Sequence, residues 1–513
     1  MLARLTRFFA SRSFSGGTAF LVGGYVRDRL LGLDPKDLDI AVAADPQELG
    51  RELAQELGGA FVPVSPAHGV ARVVVPPSLE LADGADAGTR PGEAGASPVP
   101  QARRTIDLAR LAGTIEEDLA RRDFTVNALA VPLDHWLSPR WEQVALDPFN
   151  GRQDLTRKRI RAVSPGVFQE DPGRLLRAVR LAARLGFRLD PDTARSVRAD
   201  ASRIALVSGE RVRDEFLDIL AGEGARGQLE ALDRLDLLCR IIPELAVTKG
   251  VDQPRAHHYW DVWGHLLHCV EAAEGVTGGH RNSAIYSLVP WTGERVAYFR
   301  QEVSDGHTRR TILKLAALFH DIAKPQTKGP DATGRIRFLG HSEKGAEMAV
   351  RRLGDLRLSS RGIGMVRRMV EEHLRPAQMS QGAELPSPRA VYRYYRDLGD
   401  VAVDNLYLCL ADYLAAKGPE LSPDRWAGHV RMVAHILQGV TPAPGPGQPA
   451  RLVSGSDLMQ HFGLPPGPRV GWLLDQIAEA RAAGEVTTRE EALALAAREL
   501  QEHGTDEYPH EWF

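Results

Sequence analysis

Asp37 and Asp39 stand one residue apart in the run KDLDIAV. On a strand alternate side chains share a face, so the two carboxylates point the same way. Carboxylates that close repel unless a cation neutralises them. Oxygen ligands of this kind suit Mg²⁺, which can clamp the attacking and leaving oxygens of a phosphoryl transfer. A third acid, Asp107 in TIDLARL, can come from a neighbouring strand. Upstream, Gly23 and Gly24 in LVGGYVRD let the chain turn tightly from strand into helix. Their N–H groups and the helix start would seat a triphosphate, and Arg27 adds a bidentate phosphate partner.

A different chemistry is available in EDPGRLLRAVRLAARLGF. Asp171 is expected as the N-cap and Pro172 as the first helical residue. Asp171 and Arg174 would then be neighbours on one face. Such a pair is an acceptor beside a donor fork. Cytosine offers an amino donor beside N3 and O2, and adenine offers its amino donor beside N1. Guanine and uracil present the reverse order. One Asp/Arg pair can therefore take C and A and refuse G and U without a nucleic-acid template. Arg174, Arg177, Arg180 and Arg184 form a stripe along the same helix, suited to a triphosphate and an RNA backbone.

The second half carries His265, the adjacent His320 and Asp321, His341, His373 and Asp412, all on or beside segments with helical periodicity. Singly each reads as an ordinary core or surface residue. Together, imidazole and carboxylate donors suit Mn, Fe, Ni or Zn.

These residues need elements to hold them. Residues 20–150 mix strand-like runs (AFLVGG, DLDIAVA, GVARVVV) with a helix at VRDRLLG. From about Glu170 the pattern is helical throughout. The sequence divides into a head at 1–150, a helical neck at 151–250, a third domain at 251–440 and a helical tail at 451–513. The fold class expected is α+β, an α/β head followed by all-α domains. The Gly/Ala/Pro-rich stretch between Pro76 and Arg104 reads as a loop, 273–309 as a loop-like insertion, and TPAPGPGQPA at 441–450 as a hinge. At 513 residues several cores are needed. The three cysteines, Cys239, Cys269 and Cys409, are too scattered for a disulfide framework or a CxxC metal site, which suits a reducing, cytoplasmic setting. No run approaches the roughly 18 apolar residues of a membrane span. The basic start, MLARLTRFFASRSFSGG, is expected to be a short leading helix rather than a transit peptide. A net charge of −3 leaves any RNA affinity to local basic patches.

LVGGYVRDRLLGLDPKDLDIAV resembles the signature of the class II tRNA nucleotidyltransferase and bacterial poly(A) polymerase superfamily. The resemblance runs on through DLARRDFTVNALA, DPFNG at 147–151 and the EDxxR motif at Glu170. It implies a polymerase-beta-like nucleotidyltransferase head in which Asp37 and Asp39 hold Mg²⁺ and Asp107 fills the third acidic position. Arg122, Asp123 and Asn127 would meet ribose and triphosphate, and Asp171 and Arg174 would read the incoming base, with Arg177 and Arg180 also near the nucleotide. Gly173 departs from the larger apolar residue usual in that motif. HDIAKP is similar to the HD metal-dependent phosphohydrolases, although Ala323 replaces their more usual glycine. That likeness implies that His265, His320, Asp321 and Asp412 bind one metal and that His341 and His373 complete a second. The tail, SGSDLMQHFGLPPGPRVGWLL onward, resembles the end of HD-bearing CCA-adding enzymes. The implied activity is addition of CTP and ATP to a tRNA 3′ end, with a possible hydrolase in the HD domain. Poly(A) synthesis, CC-only or A-only addition, and an HD hydrolase with a non-catalytic RNA-binding head stand as alternatives.

Overall fold

The computed structural model describes residues 2–10, 19–35, 37–65, 69–76, 104–111, 113–278, 283–380, 384–439 and 452–503. Residues 77–103 and 441–450, read from sequence as a loop and a hinge, lie outside these. The chain divides into two compact units, one of residues 1–219 with 231–241, the other of 220–230 with 242–513.

The first unit is built on a mixed six-stranded sheet. Its strands are β1 (Phe20–Val22), β2 (Asp37–Val42), β3 (Ala60–Ser65), β4 (Val70–Val74), β5 (Thr105–Arg110) and β6 (Ala130–Pro132), in the order β3-β4-β5-β2-β1-β6. Only β2 and β5 pair in parallel. Leu38 and Ile40 are fully buried while Asp37 is exposed. A one-residue slip of β2 would drive both aspartates into the core, so the acid pair and the apolar pair fix the register together. The helix Pro46–Leu57 starts under Asp45, which accepts from the Gln47 N–H, and stops at Gly58 in the left-handed region. The leading helix Leu2–Ala10 is present.

Helix Arg174–Leu185 buries Leu175, Leu176 and Val179 and ends at left-handed Gly186. It starts two residues later than the sequence suggests. Gly173 is its cap residue, and Asp171 sits in extended backbone after the short helix Val167–Glu170.

The second unit is helical. Val262–Gly278 packs against Arg309–Phe319 and Ala402–Lys417, and His341–Asp355 packs on Ser360–Glu371. The 273–309 segment is not loop-like where it is described. One helix persists to Gly278, and another, Gly293–Arg300, begins under Thr292, whose side chain accepts from the Arg295 N–H. Buried charges here are matched. Lys314 Nζ lies 2.9 Å from Glu274 and donates to the Leu220 and Gly222 carbonyls, and Arg309 meets Asp404 at 2.7 Å. Leaving either partner alone would strand a charge away from water. The tail helices Gly455–Phe462, Pro468–Ala482 and Arg489–Glu502 close over their own core of Leu458, Leu473, Ile477 and Ala492. Among the described residues no helix is long and apolar enough to cross a membrane.

Candidate active sites

In the first unit the strand pairing assembles the site. Asp39 lies opposite Val22 on β1 and Asp107 on β5, so Gly23, the next residue after β1, arrives beside Asp39. Gly23 has φ 70°, and a Cβ there would lie 2.7 Å from Arg122 Nη1 and 3.4 Å from Asp39 Oδ2. The left-handed backbone demands glycine, and a Cβ would in addition push the Arg122 guanidinium aside. Asp37 accepts from the Thr105 hydroxyl at 2.8 Å. Burial raises the Asp39 carboxyl to a pKa of about 6; Arg122 opposes the rise, and Asp107 and Asp37 add to it. A half-buried carboxylate left short of positive charge beside two more acids fits a divalent cation.

Behind it the motif residues form one chain of contacts. Arg27, 4 % exposed, donates to Asn127 Oδ1 at 2.6 Å, and Asn127 donates to Asp123 Oδ1 at 2.9 Å. Arg177 closes on the other Asp123 oxygen at 2.7 Å. Burial lowers the Arg27 pKa, partly offset by Asp28. Asp147 of DPFNG accepts from the Gly151 and Arg152 N–H groups and so fixes the turn after the motif. Gly23, Gly24, Arg27, Asp37, Asp39, Asp107, Arg122, Asp123, Asn127, Asp171, Arg174, Arg177 and Arg180 all line one polar cavity of about 730 Å³.

Two expected partnerships differ. Asp171 and Arg174 do not pair with each other. Asp171 takes Arg211 Nη2 at 3.0 and 2.9 Å and the Gly173 N–H at 3.0 Å, whereas Arg174 donates to the Arg121 carbonyl at 2.8 Å. The reason is the late helix start, since the three-residue spacing joins side chains only when both are helical. Gly173 makes the Arg211 contact possible: a Cβ there would fall 2.4 Å from Arg211 Nη2. Asp107, for its part, is bound by Arg72 through both oxygens at 2.7 Å. Arg72, Arg211 and Glu215, which pairs with Arg180, line the cavity and escaped the sequence reading. The ERVRDE run holding Arg211 and Glu215 four apart was their available signal.

In the second unit the six expected residues converge. His265 Nε2 lies 3.0 Å from His320 Nε2, 3.1 Å from Asp321 Oδ2 and 3.1 Å from Asp412 Oδ1. The other Asp321 oxygen faces His341 Nε2 at 3.2 Å and His373 Nε2 at 3.7 Å. Among the described residues, His265–His320–Asp321 and Asp321–His341–His373 are groups whose donor atoms all lie within 4.8 Å. His320, His341 and His373 meet the Ala317, Phe338 and Val370 carbonyls through Nδ1, at 2.8, 2.6 and 2.7 Å. That contact fixes the tautomer with Nε2 free to ligate. His341 Nε2 and Asp321 Oδ1 are buried with no hydrogen-bond partner. This donor set fits two metal ions sharing Asp321. Burial would raise Asp321 and Asp412, yet Lys324, His320 and His265 hold Asp321, and His265 and His320 hold Asp412, well below the usual carboxylate range. Burial, with the His320 charge, lowers His373 to about 4. A cavity of about 950 Å³ opens over the cluster, walled by Lys324, His258, Arg335 and Arg337 among others. Gln253 and His258, which meet Lys324 Nζ at 2.7 and 3.4 Å, were not anticipated from sequence.

Residues 19–161 match the family described as the poly A polymerase head domain. Residues 186–248 match a probable RNA and SrmB-binding site of polymerase A, and 293–417 match the HD domain. His265 falls outside that last stretch, but the geometry seats it with His320. The chain is 35% identical to the CC-adding tRNA nucleotidyltransferase of Thermus thermophilus, over 96% of this chain and 97% of that one. It is 34% identical to the A-adding tRNA nucleotidyltransferase of Deinococcus radiodurans, over 94% and 96%. Its fold is similar to a CCA-adding enzyme solved with CTP, at TM-score 0.61 and 19% identity over 98% of this chain and 95% of that one.

Proposed function

This chain belongs to the tRNA nucleotidyltransferase and poly(A) polymerase family, and we propose that its 730 Å³ cavity is where nucleotides from CTP and ATP are joined to a tRNA 3′ end. One observation carries this reading. The glycine turn, the Asp37–Asp39 pair, the Arg122–Asp123–Asn127 motif and the arginines of helix Arg174–Leu185 all open on that one cavity.

The tRNA 3′-hydroxyl attacks the nucleotide α-phosphate, and pyrophosphate leaves. Asp37 and Asp39 would hold Mg²⁺, which when bound neutralises charge on the phosphates and aligns the attacking and leaving oxygens. Gly23 keeps the space beside Asp39 clear of a side chain. Arg122 and Arg177 draw the triphosphate in and orient it, while Arg27, locked through Asn127 and Asp123, fixes the wall against which it rests. Asp171 accepts from the base amino group and Arg174 donates to cytosine N3 or adenine N1. Each is held in the free chain by a neighbour, Arg211 and the Arg121 carbonyl, that keeps it in place. Such an enzyme acts where tRNA and nucleotides are, in the cytoplasm.

We propose in addition that the HD domain of the second unit is a metal-dependent phosphohydrolase. Its six ligands would hold two transition-metal ions, and the cationic wall of Lys324, Arg335 and Arg337 suits a phosphate ester such as a 2′,3′-cyclic nucleotide end.

Addition of the full CCA is the leading product. Likeness along nearly the whole chain to CC-adding enzymes and to an A-adding enzyme favours, as a second reading, a division of that labour. Offering tRNAs that end before C, after C and after CC, with CTP and ATP separately and together, decides between them. Extension of all three to CCA supports the first reading. Arrest at CC, or extension of the CC-ended tRNA alone, supports the second. No incorporation on any of them overturns the assignment of the head.

A further inference from the structure

Three charged residues stand in one row across the sheet of the first unit. Asp39 on β2 lies opposite Asp107 on β5, and Asp107 lies opposite Arg72 on β4. Residues directly opposite on adjacent strands share a face, so the row reads acid, acid, base. Arg72 binds Asp107 fork to fork, Nε to Oδ1 and Nη2 to Oδ2, both at 2.7 Å. Both residues line the nucleotide cavity. The pair is partly exposed, at 43% and 23% of the side-chain surface, so burial does not force it shut. Of the three acids expected from sequence, Asp107 has both of its oxygens engaged by an arginine fork.

We propose that Arg72 is a built-in counter-cation: it holds Asp107 out of the divalent-cation site and thereby keeps the head's affinity for the ion low in the free enzyme. The inference rests on the reading of Asp37 and Asp39 as the residues that hold Mg²⁺. Its physical basis is electrostatic. An unpaired Asp107 would act on Asp39 with its full negative charge, whereas with Arg72 bound to both its oxygens part of that charge is offset and a smaller repulsion remains. A weakly held ion then arrives with the triphosphate, whose oxygens complete its shell. Arg72 is on this account a positioning residue that acts through Asp107.

Mn²⁺ titrations of the full-length protein, with free ion followed by electron paramagnetic resonance, test this without turnover. The HD ligands are unchanged in every variant, so their ions enter each titration equally. Arg72→Ala, and Arg72→Gln to keep the side-chain stem, should tighten the head's Mn²⁺ site about fivefold or more. Adding Asp107→Asn to either should return the affinity to within about twofold of the parent, because the gained charge is gone. Unchanged or weaker binding in both Arg72 variants overturns the proposal, as does tightening that survives Asp107→Asn. Asp39→Asn separates the two layers. Its loss of the head ion beside an unmoved Arg72→Ala affinity overturns the role of Arg72 alone. Retention of the ion in Asp39→Asn overturns the cation-site reading and this inference with it.

Discussion

The two candidate metal sites of this chain solve one electrostatic problem in opposite ways. In the second unit the ligands are finished before any ion arrives. Three imidazoles are pinned through Nδ1 to backbone carbonyls, and five donors converge in a buried cluster with the partly exposed Asp412 at its edge. In the head the acids are open to the cavity and each has a substitute partner: Thr105 for Asp37, Arg122 close to Asp39, Arg72 for Asp107. A site whose imidazole and carboxylate donors all come from the protein would retain its metal through turnover. An oxygen site that is only half assembled suits an ion that comes and goes with a triphosphate. On the proposed reading, preorganisation goes with a resident ion and arginine-buffered carboxylates with a substrate-borne one.

Ablating either site should leave the other working, and these are the largest effects expected. Asp37→Ala or Asp39→Ala should lower nucleotide addition by about a thousandfold or more, since metal stabilisation of the transition state is worth several kcal/mol. Binding of tRNA and hydrolysis of cyclic phosphates by the HD unit should persist. Primer-extension rates with Mg²⁺ check it, and near-parental rates in either variant would remove the two acids from the chemistry. Conversely, His320→Ala with Asp321→Ala should abolish metal-dependent hydrolysis of 2′,3′-cyclic nucleotides and strip the bound transition metal, while addition continues. Metal analysis of the parent protein showing no transition metal, together with no hydrolysis, would reduce the HD unit to a scaffold.

A smaller effect sharpens the description of the head as a site completed by substrate. Arg174 and Asp171 have stand-in partners in the free chain, so reading a base means exchanging those partners for the nucleotide. A bidentate base contact discriminates by about 1–3 kcal/mol, or roughly 5- to 150-fold. Arg174→Ala should shift incorporation toward UTP and GTP by a factor in that range, even as the total rate falls. Asp171→Ala should weaken CTP and ATP together. Competition assays with mixed nucleotides measure both, and unchanged ratios in both variants would reduce the pair to structural roles.

What sequence made legible was local. The DxD spacing needed only the alternation of a strand, and the glycine pair needed only the turn that follows β1. The HD ligand set was named only through the likeness of HDIAKP to the HD phosphohydrolases, because singly each residue reads as an ordinary core or surface residue. What stayed hidden depended on pairing across the fold. Arg72 faces Asp107 because β4 lies antiparallel to β5, and the long segment between those strands conceals the register. Arg211 reaches Asp171 from a helix 40 residues on, over the one position where glycine leaves room. The Asp171–Arg174 pair was misjudged for a local reason. Asp171 does accept from the Gly173 N–H as a cap would, but the regular helix begins only at Arg174 and Arg211 takes both Asp171 oxygens. Helix Gly293–Arg300 was missed because its polar residues give no strong apolar stripe.

The gentlest test of the comparison is pH. Burial, with Asp107 and Asp37 adding their charge, raises Asp39 to about 6 against an ordinary carboxylate near 3.8. Because its folded value is raised, the charged form of Asp39 costs stability above about pH 6, and that cost is relieved as pH falls through 6 and a proton binds. A divalent ion relieves the same cost at neutral pH, so proton and ion compete for one carboxylate. Nucleotide addition at low Mg²⁺ should therefore fall about tenfold per unit below pH 6, and raising Mg²⁺ should move the midpoint to lower pH. The HD acids behave otherwise. Asp321 and Asp412 are held well below the usual range, so no carboxylate there takes up a proton over the same interval. Rates of addition measured from about pH 5 to 8 at two Mg²⁺ concentrations give the answer. A midpoint that stays fixed as Mg²⁺ rises would mean that the titrating group is not a cation ligand, and the contrast between a substrate-borne and a resident ion would lose its support in the head.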